Sequence, residues 1–196
     1  MTETTPGRVI GLTGPNAAGK GEVATYLEEH GFRVHSLSDV VREVAGERGL
    51  PPEREHLIRI GNELRAEGGP GVLAERILAR LRGRDVVDSI RNPVEVEVLR
   101  RVPGFVLVGV QASTAVRFRR SLDRARPGDP ETLEAFEARE AEENRPGAHR
   151  QQLAATFALV DRVVDNDGDL DTLRATVDAV LHDLVGATGG GWTTRR

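Results

Sequence analysis

Residues 8–22 read RVIGLTGPNAAGKGE. The first six form a short apolar run that predicts a buried strand. Gly14 to Gly21 then fits Gly-x4-Gly-Lys, and a helical stretch over 20–30 follows until Gly31 stops it. A glycine-rich turn between a strand and a helix is the setting in which this spacing cradles phosphate. Glycine lets backbone N–H groups turn inward around phosphate oxygens, and the helix start presents its positive end to the same anion. Lys20 would reach the terminal phosphates of ATP or a related triphosphate. The expected nucleotide-binding residues are therefore Gly14, Pro15, Asn16, Ala17, Ala18, Gly19, Lys20, Gly21 and Glu22. The alternative is a plain glycine turn with an incidental lysine.

Composition argues against that alternative. The chain has 27 Lys and Arg residues, and Lys20 is the one lysine among them. A coding bias that writes arginine wherever a cation will do has spared one ammonium. Arginine cannot replace lysine where a compact charge must fit among phosphates. The motif departs from its usual form in one respect. A Ser or Thr normally follows the lysine and places a hydroxyl on Mg²⁺, but here Gly21 and Glu22 follow. Asp39 and Asp88 are the expected substitutes, holding Mg²⁺ through water.

Outward from this motif, strands and helices alternate. Strands are expected over 8–13, 32–36, 85–90, 105–110 and 162–166. Helices are expected over 20–30, 38–47 (with Ser38 as N-cap), 53–67, 71–81, 92–100, 114–125, 131–143, 150–159 and 170–185. The alternation predicts a parallel sheet covered on both faces. A single α/β domain over 1–185 is expected, with a flexible glycine-rich tail over 186–196 that contains Trp192. The 196 residues carry a net charge of −4, which argues against general nucleic-acid binding. No cysteine is present and the five histidines lack ligand spacing, so a zinc site is not expected. No apolar run is long enough to span a membrane, and the start lacks signal-peptide character. A cytoplasmic protein is the expectation.

The stretch VIGLTGPNAAGKGEVATYLEEHGF (9–32) resembles the opening of dephospho-CoA kinases and of nucleoside monophosphate kinases. Over about residues 8–183 the chain is similar to a dephospho-CoA-kinase-like group of P-loop proteins. Related domains occur fused to deoxycytidylate deaminases. The segments that carry the likeness are SLSDVVREVAGERGL, GNELRAEGGPGVLAERI, DSIRNPVEVEVL and RFRRSLDRARPGD. The resemblance implies a three-layer P-loop NTPase fold: a five-stranded parallel sheet, helices on both faces and a small helical lid over about 117–145. It also implies ATP and Mg²⁺ as cofactors, a nucleotide acceptor, and association with nucleotide-metabolism enzymes.

The same resemblance assigns site residues. Asp39 is a candidate base toward an acceptor hydroxyl, and Arg42 a candidate for gripping an acceptor phosphate. Asp88-Ser89-Ile90-Arg91 is similar to the Asp-Gly-x-x-Arg turn of monophosphate kinases, with Ser89 in place of glycine. Asp88 would hold Mg²⁺ through water, and Arg91 would grip the acceptor. Asn62 and Arg65 could line the acceptor pocket; an exposed helix face explains them equally well.

Arg117, Arg120 and Arg124 fall on one helical face, which would repel itself unless an anion met it. Arg120 and Arg124 are assigned to catalysis, Arg117 to the nucleotide, and Arg126 and Arg139 to the acceptor. Arg119 points elsewhere. The alternative is a solvated face paired with Glu131, Glu134, Glu137 and Glu140. Asn166 matches the position that borders adenine in dephospho-CoA kinases, although a simple Asn-Asp-Gly turn also explains it.

Phosphoryl transfer from Mg-ATP to a deoxynucleoside monophosphate or dephospho-CoA is the leading expectation. A nucleotide-binding regulatory module is the alternative, motivated by the missing hydroxyl at Gly21 and Glu22. A GTPase is a weaker third option, because with Lys20 the one lysine the guanine motif Asn-Lys-x-Asp is impossible. The glycine spacing is also not the Gly-x-Gly-x-x-Gly of an oxidoreductase.

Overall fold

The computed structural model describes residues 8–125, 128–143 and 152–186. Arg126, Trp192, most of the expected tail and the end of the expected lid lie outside these residues.

Five parallel strands stand in the order β2-β3-β1-β4-β5: β1 (Val9–Thr13), β2 (Arg33–Ser36), β3 (Asp85–Asp88), β4 (Val106–Gln111) and β5 (Arg162–Asp165). Period-2 alternation divides their side chains between two cores. Val9, Val87 and Leu107 face one layer, while Ile10, Val86 and Val108 face the other. The first layer is built from α2 (Leu37–Glu47), α3 (Arg54–Gly68), α4 (Val72–Leu78) and α5 (Pro93–Leu99). The second is built from α1 (Lys20–Glu29) and α9 (Leu170–Gly186). Short α8 (Leu153–Phe157) lies so close to β4 that a Cβ on Gly109 would stand 2.8 Å from the Phe157 ring. Two further helices, α6 (Thr114–Arg124) and α7 (Leu133–Glu143), pair through Phe118 and the buried Phe136. The expected layers, sheet and helical lid are all present.

Local chemistry shifts several expected boundaries. β2 runs directly into α2, and the cap is Ser36 rather than Ser38: the Ser36 hydroxyl accepts from the Ser38 amide at 3.2 Å. β3 ends at Asp88 instead of Ile90 because Ser89 adopts φ 65°, a left-handed conformation that breaks the strand. The chain rejoins β1 one residue later, where Ile90 donates to the Leu12 carbonyl. The expected helix over 71–81 is shorter, the one over 131–143 begins at Leu133, and the one over 150–159 contracts to five residues.

Arg65 does not lie on an exposed face. It is 5% exposed and donates through Nη2 to Glu95 Oε1 at 3.0 Å. Glu95, fully buried, also accepts from the backbone N–H groups of Arg91 at 2.9 Å and Asn92 at 3.1 Å. Asn92 caps α5 reciprocally, its side chain accepting from Val94 N. Burial raises the Glu95 pKa, and the Arg65 charge with these N–H donors works against that rise. Removing one member of a buried pair leaves the other charge uncompensated, at a cost of about 3–5 kcal/mol. Glu95→Ala should therefore lower unfolding free energy by roughly that amount in urea titration. Glu95→Gln, which keeps an acceptor, should cost less. Equal stability of wild type and Glu95→Ala would show that the pair carries no such weight.

Candidate active site

The carboxyl ends of the strands converge on the loop between β1 and α1. Gly14, at φ 142°, could not carry a side chain: a Cβ there would stand 2.0 Å from the Val110 carbonyl oxygen. Gly19, at φ 99°, is equally confined, its Cβ position lying 2.1 Å from Asn166 Nδ2. Ala17 holds the left-handed region at φ 58° without glycine's freedom. These turns fold the loop over the first residue of α1, which is Lys20.

The Lys20 ammonium donates to the carbonyls of Gly14 at 2.9 Å and Pro15 at 2.8 Å. Burial and the neighbouring charge of Arg91 bring its pKa down to about 7, with smaller contributions from Arg117 and Arg124. Asp88 acts in the opposite direction. The charges of Arg91, Asp88, Arg117 and Arg124 thus all reach Lys20.

Asp88, the last residue of β3, has one carboxylate oxygen held by the Ser89 hydroxyl at 3.2 Å. Ser89 in turn accepts from Ser36 Oγ at 3.2 Å, which ties the ends of β2 and β3 together. The other oxygen, Oδ1, is buried with no hydrogen-bond partner. An orphaned buried acceptor costs about 1–3 kcal/mol. The positive φ of Ser89 stands where monophosphate kinases have glycine, so this position needs a left-handed residue whichever side chain fills it. Thr13, fully buried, donates to the Ile90 carbonyl at 2.8 Å and fixes the turn from behind. Arg91 is partly buried, its pKa lowered by burial and supported by Asp88 and Glu95.

Asp39 and Arg42 pair with each other at 2.5 Å on the exposed first turns of α2. Asn62 is partly buried on α3, one turn before Arg65.

On α6, Arg117 is buried and turned sideways. It pairs with Glu140 of α7, donates to the Ala112 carbonyl at 3.0 Å and the Thr114 hydroxyl at 3.1 Å, and reaches the Asn16 carbonyl at 3.5 Å. It joins the lid to the phosphate loop. Arg120 donates through Nη2 to Asn166 Oδ1 and the Gly168 carbonyl, both at 3.3 Å, while its buried Nη1 has no partner. Asn166 donates to the Ala18 carbonyl at 2.8 Å, so its amide clamps the end of β5 to the loop. Arg124 and Arg139 share Asp129. Arg119 is exposed, as expected. Of the four glutamates weighed as partners for the arginine face, Glu140 serves Arg117.

Sequence reasoning missed Glu95, Ser36 and Asp129. Asn92-Pro-Val-Glu95 is a capping-box spacing and carried the signal for the first.

The orphaned oxygen of Asp88 is open to a metal that a bound triphosphate would bring with it. No group of three His, Asp or Glu side chains that could hold an ion exists among the described residues. Gly21 offers no side-chain oxygen, yet a Cβ built on it would meet nothing within 4 Å beyond its own turn of helix.

Loop, sheet order and lid together define a P-loop protein with the kinase form of the fold. Solved structures share it: TT1252 from Thermus thermophilus (TM-score 0.61, 22% identity, 92% of this chain and 99% of that one) and shikimate kinase from Acinetobacter baumannii in complex with shikimate (TM-score 0.60, 16% identity, 95% and 96%). Residues 10–145 match the AAA domain model. A UPF0200 protein of Hyperthermus butylicus is 34% identical over 182 residues, covering 91% of this chain and 95% of its own. One from Methanoregula boonei is 33% identical, covering 90% and 97%. The chain belongs to the UPF0200 family of AAA-domain P-loop proteins.

Two predictions follow from the geometry. With the Lys20 pKa at about 7 in the free protein, a bound triphosphate must raise it. Binding is then fullest below pH 7 and weakens above it, by up to about tenfold per pH unit, with proton uptake at pH 8. Calorimetry in buffers of different ionisation enthalpy measures that uptake; its absence would place the phosphates away from Lys20. Gly21→Ser should fold normally and bind Mn²⁺ in the nucleotide complex more tightly, by roughly 2–10-fold for one added ligand. Unchanged Mn²⁺ affinity, read by electron paramagnetic resonance, would put the metal elsewhere.

Proposed function

We propose that the protein transfers the γ-phosphoryl group of Mg-ATP to a nucleotide or nucleotide-like acceptor. The observation that supports this most is the burial of the Lys20 ammonium among Arg91, Arg117 and Arg124, with Asp88 as the opposing charge. Such a gathering of cations is stabilised by a polyanion, and phosphoryl transfer is a reaction in which cations of this kind stabilise developing charge.

Lys20 and the amides of residues 14–22 hold the donor. Arg91 grips an anionic group of the acceptor with its planar fork. Arg42 and Asn62 are assigned to the same acceptor, as is Arg126, which lies outside the described residues; Arg65, committed to Glu95, supports Arg91 instead of touching the acceptor. Arg120, Arg124 and Arg139 stabilise charge on the transferring group from the lid. An acceptor oxygen attacks the γ-phosphorus, the bond to the bridging oxygen breaks, and ADP departs. A hydroxyl acceptor gives its proton to Asp39; a phosphate acceptor has none to lose. Asp88 and then Asp39 are the carboxylates that would hold Mg²⁺ through water, and the ion would supply positive charge against the phosphates.

Deoxynucleoside monophosphates and dephospho-CoA are the acceptors favoured by the resemblance in 9–32 and 88–99. The similar Acinetobacter protein binds shikimate, which adds a small hydroxy acid to the choices. We assign the protein to the cytoplasm, beside other enzymes of nucleotide metabolism. No helix among the described residues is long and apolar enough to cross a membrane. A binding module with little turnover is the second reading, favoured by the missing hydroxyl at Gly21.

A coupled assay with Mg-ATP and a panel of ribo- and deoxynucleoside monophosphates, dephospho-CoA and shikimate tests the proposal. One acceptor should turn over, and Lys20→Ala should slow it by about 100-fold or more. No turnover on any acceptor, with Mg-ATP still bound in a Lys20-dependent way, would favour the binding module.

A further inference from the structure

Arg124 is the last residue of α6, and Ala125 after it turns left-handed at φ 45°. A long side chain at a helix end keeps most of its rotamers unless something tethers it. The tether comes from the returning chain. Gly128, at φ 77°, turns the backbone so that Asp129 comes back beside Arg124. Asp129 Oδ2 accepts from Arg124 Nη2 at 2.9 Å. Its Oδ1 lies 3.7 Å from Nη1 of Arg139 on α7. The carboxylate is 9% exposed, so the bracket is largely shielded from water.

Two arginines against one carboxylate leave this cluster with a net positive charge. One donor of Arg124 is left over: its Nε is buried without a hydrogen-bond partner, while Arg139 Nη1, also without a hydrogen bond, faces Asp129 at ion-pair distance. Arg124 is also near enough to Lys20 to act on its charge. Arg124 is thereby held by one nitrogen and left with another to offer, in the neighbourhood of the residue assigned to the terminal phosphates.

We infer that Asp129 is the positioning residue of the lid, aiming Arg124, with Arg139 beside it, at the terminal phosphate of the donor. This rests on the reading of the loop as a triphosphate site. It predicts a sign opposite to simple charge accounting. Removing a negative charge near an anion site should tighten anion binding. If Asp129 positions Arg124, removing it should weaken binding, because the guanidinium is no longer pre-organised.

The test is calorimetric titration of the full chain with the magnesium complexes of ADP and a non-hydrolysable ATP analogue. Wild type should prefer the triphosphate. Asp129→Asn should lose about tenfold in triphosphate affinity, or about 1.4 kcal/mol, with ADP changed far less. Asp129→Glu should recover part of the loss. Arg124→Ala should lose as much as Asp129→Asn, and the double variant no more than either, since both act through one group. Tighter triphosphate binding by Asp129→Asn would overturn the proposal, as would an equal loss for both nucleotides, which marks a merely structural bridge. Losses that add in the double variant would also overturn it. A wild type that binds neither nucleotide would overturn the triphosphate site itself, and this role with it. A wild type with intact preference, kept by Asp129→Asn, would remove the role of Asp129 alone.

Discussion

A buried ammonium among arginines is the constraint on which the rest of this structure depends. Charges of one sign at close quarters in a poorly solvated site are costly, and the cost grows as water is excluded. The protein offsets part of it internally. The carbonyls of Gly14 and Pro15 accept from Lys20, Asp88 supplies a counter-charge, Glu140 takes Arg117, and Asp129 takes Arg124. What remains favours an anion that can meet several cations at once. Burial first, and the charge of Arg91 after it, brings the Lys20 pKa down to about 7.

The fold serves this constraint by bringing strand ends together. β1 delivers the loop, β3 delivers Asp88, β2 braces β3 through Ser36 and Ser89, and β5 delivers Asn166 to Ala18. Parallel sheets place all these termini on one edge, where ligands bind in open α/β proteins. The turn that carries Arg91 is anchored differently, by the buried Arg65–Glu95 pair, where Glu95 also accepts from the backbone N–H groups of Arg91 and Asn92. The glycine loop therefore depends on backbone geometry, and the turn carrying Arg91 on a desolvated ion pair.

Much of this was legible in the sequence because its signals are local. Gly14, Gly19 and Lys20 announce a phosphate loop by spacing, and the apolar runs announce the strands around it. The common face of Arg117, Arg120 and Arg124 follows from helical periodicity alone. The partners of those arginines are tertiary and were not legible. Nothing in the heptad-like spacing says that Arg117 turns sideways to Glu140 and Asn16, or that Arg120 meets Asn166. Arg65 looked as much like a surface residue as a buried one, since helix α3 carries charge on several faces and only its packing against α2 and α4, with the reach of Arg65 to Glu95, decides which face is covered. Ser89 shows a different limit. Its positive φ is imposed by the need to end β3 at Asp88 and still return to β1 at Ile90.

The single lysine makes one measurement especially direct. An amine-reactive acylating reagent has one side-chain amine to find, and mass spectrometry of the digested protein reports its modification. With the Lys20 pKa at about 7, the neutral amine should react readily near pH 8. Saturating Mg-ATP should suppress that reaction at Lys20 by at least about tenfold, because the ammonium is then held charged against phosphate. Labelling of Lys20 at the same rate with and without nucleotide would contradict a phosphate site built on this residue.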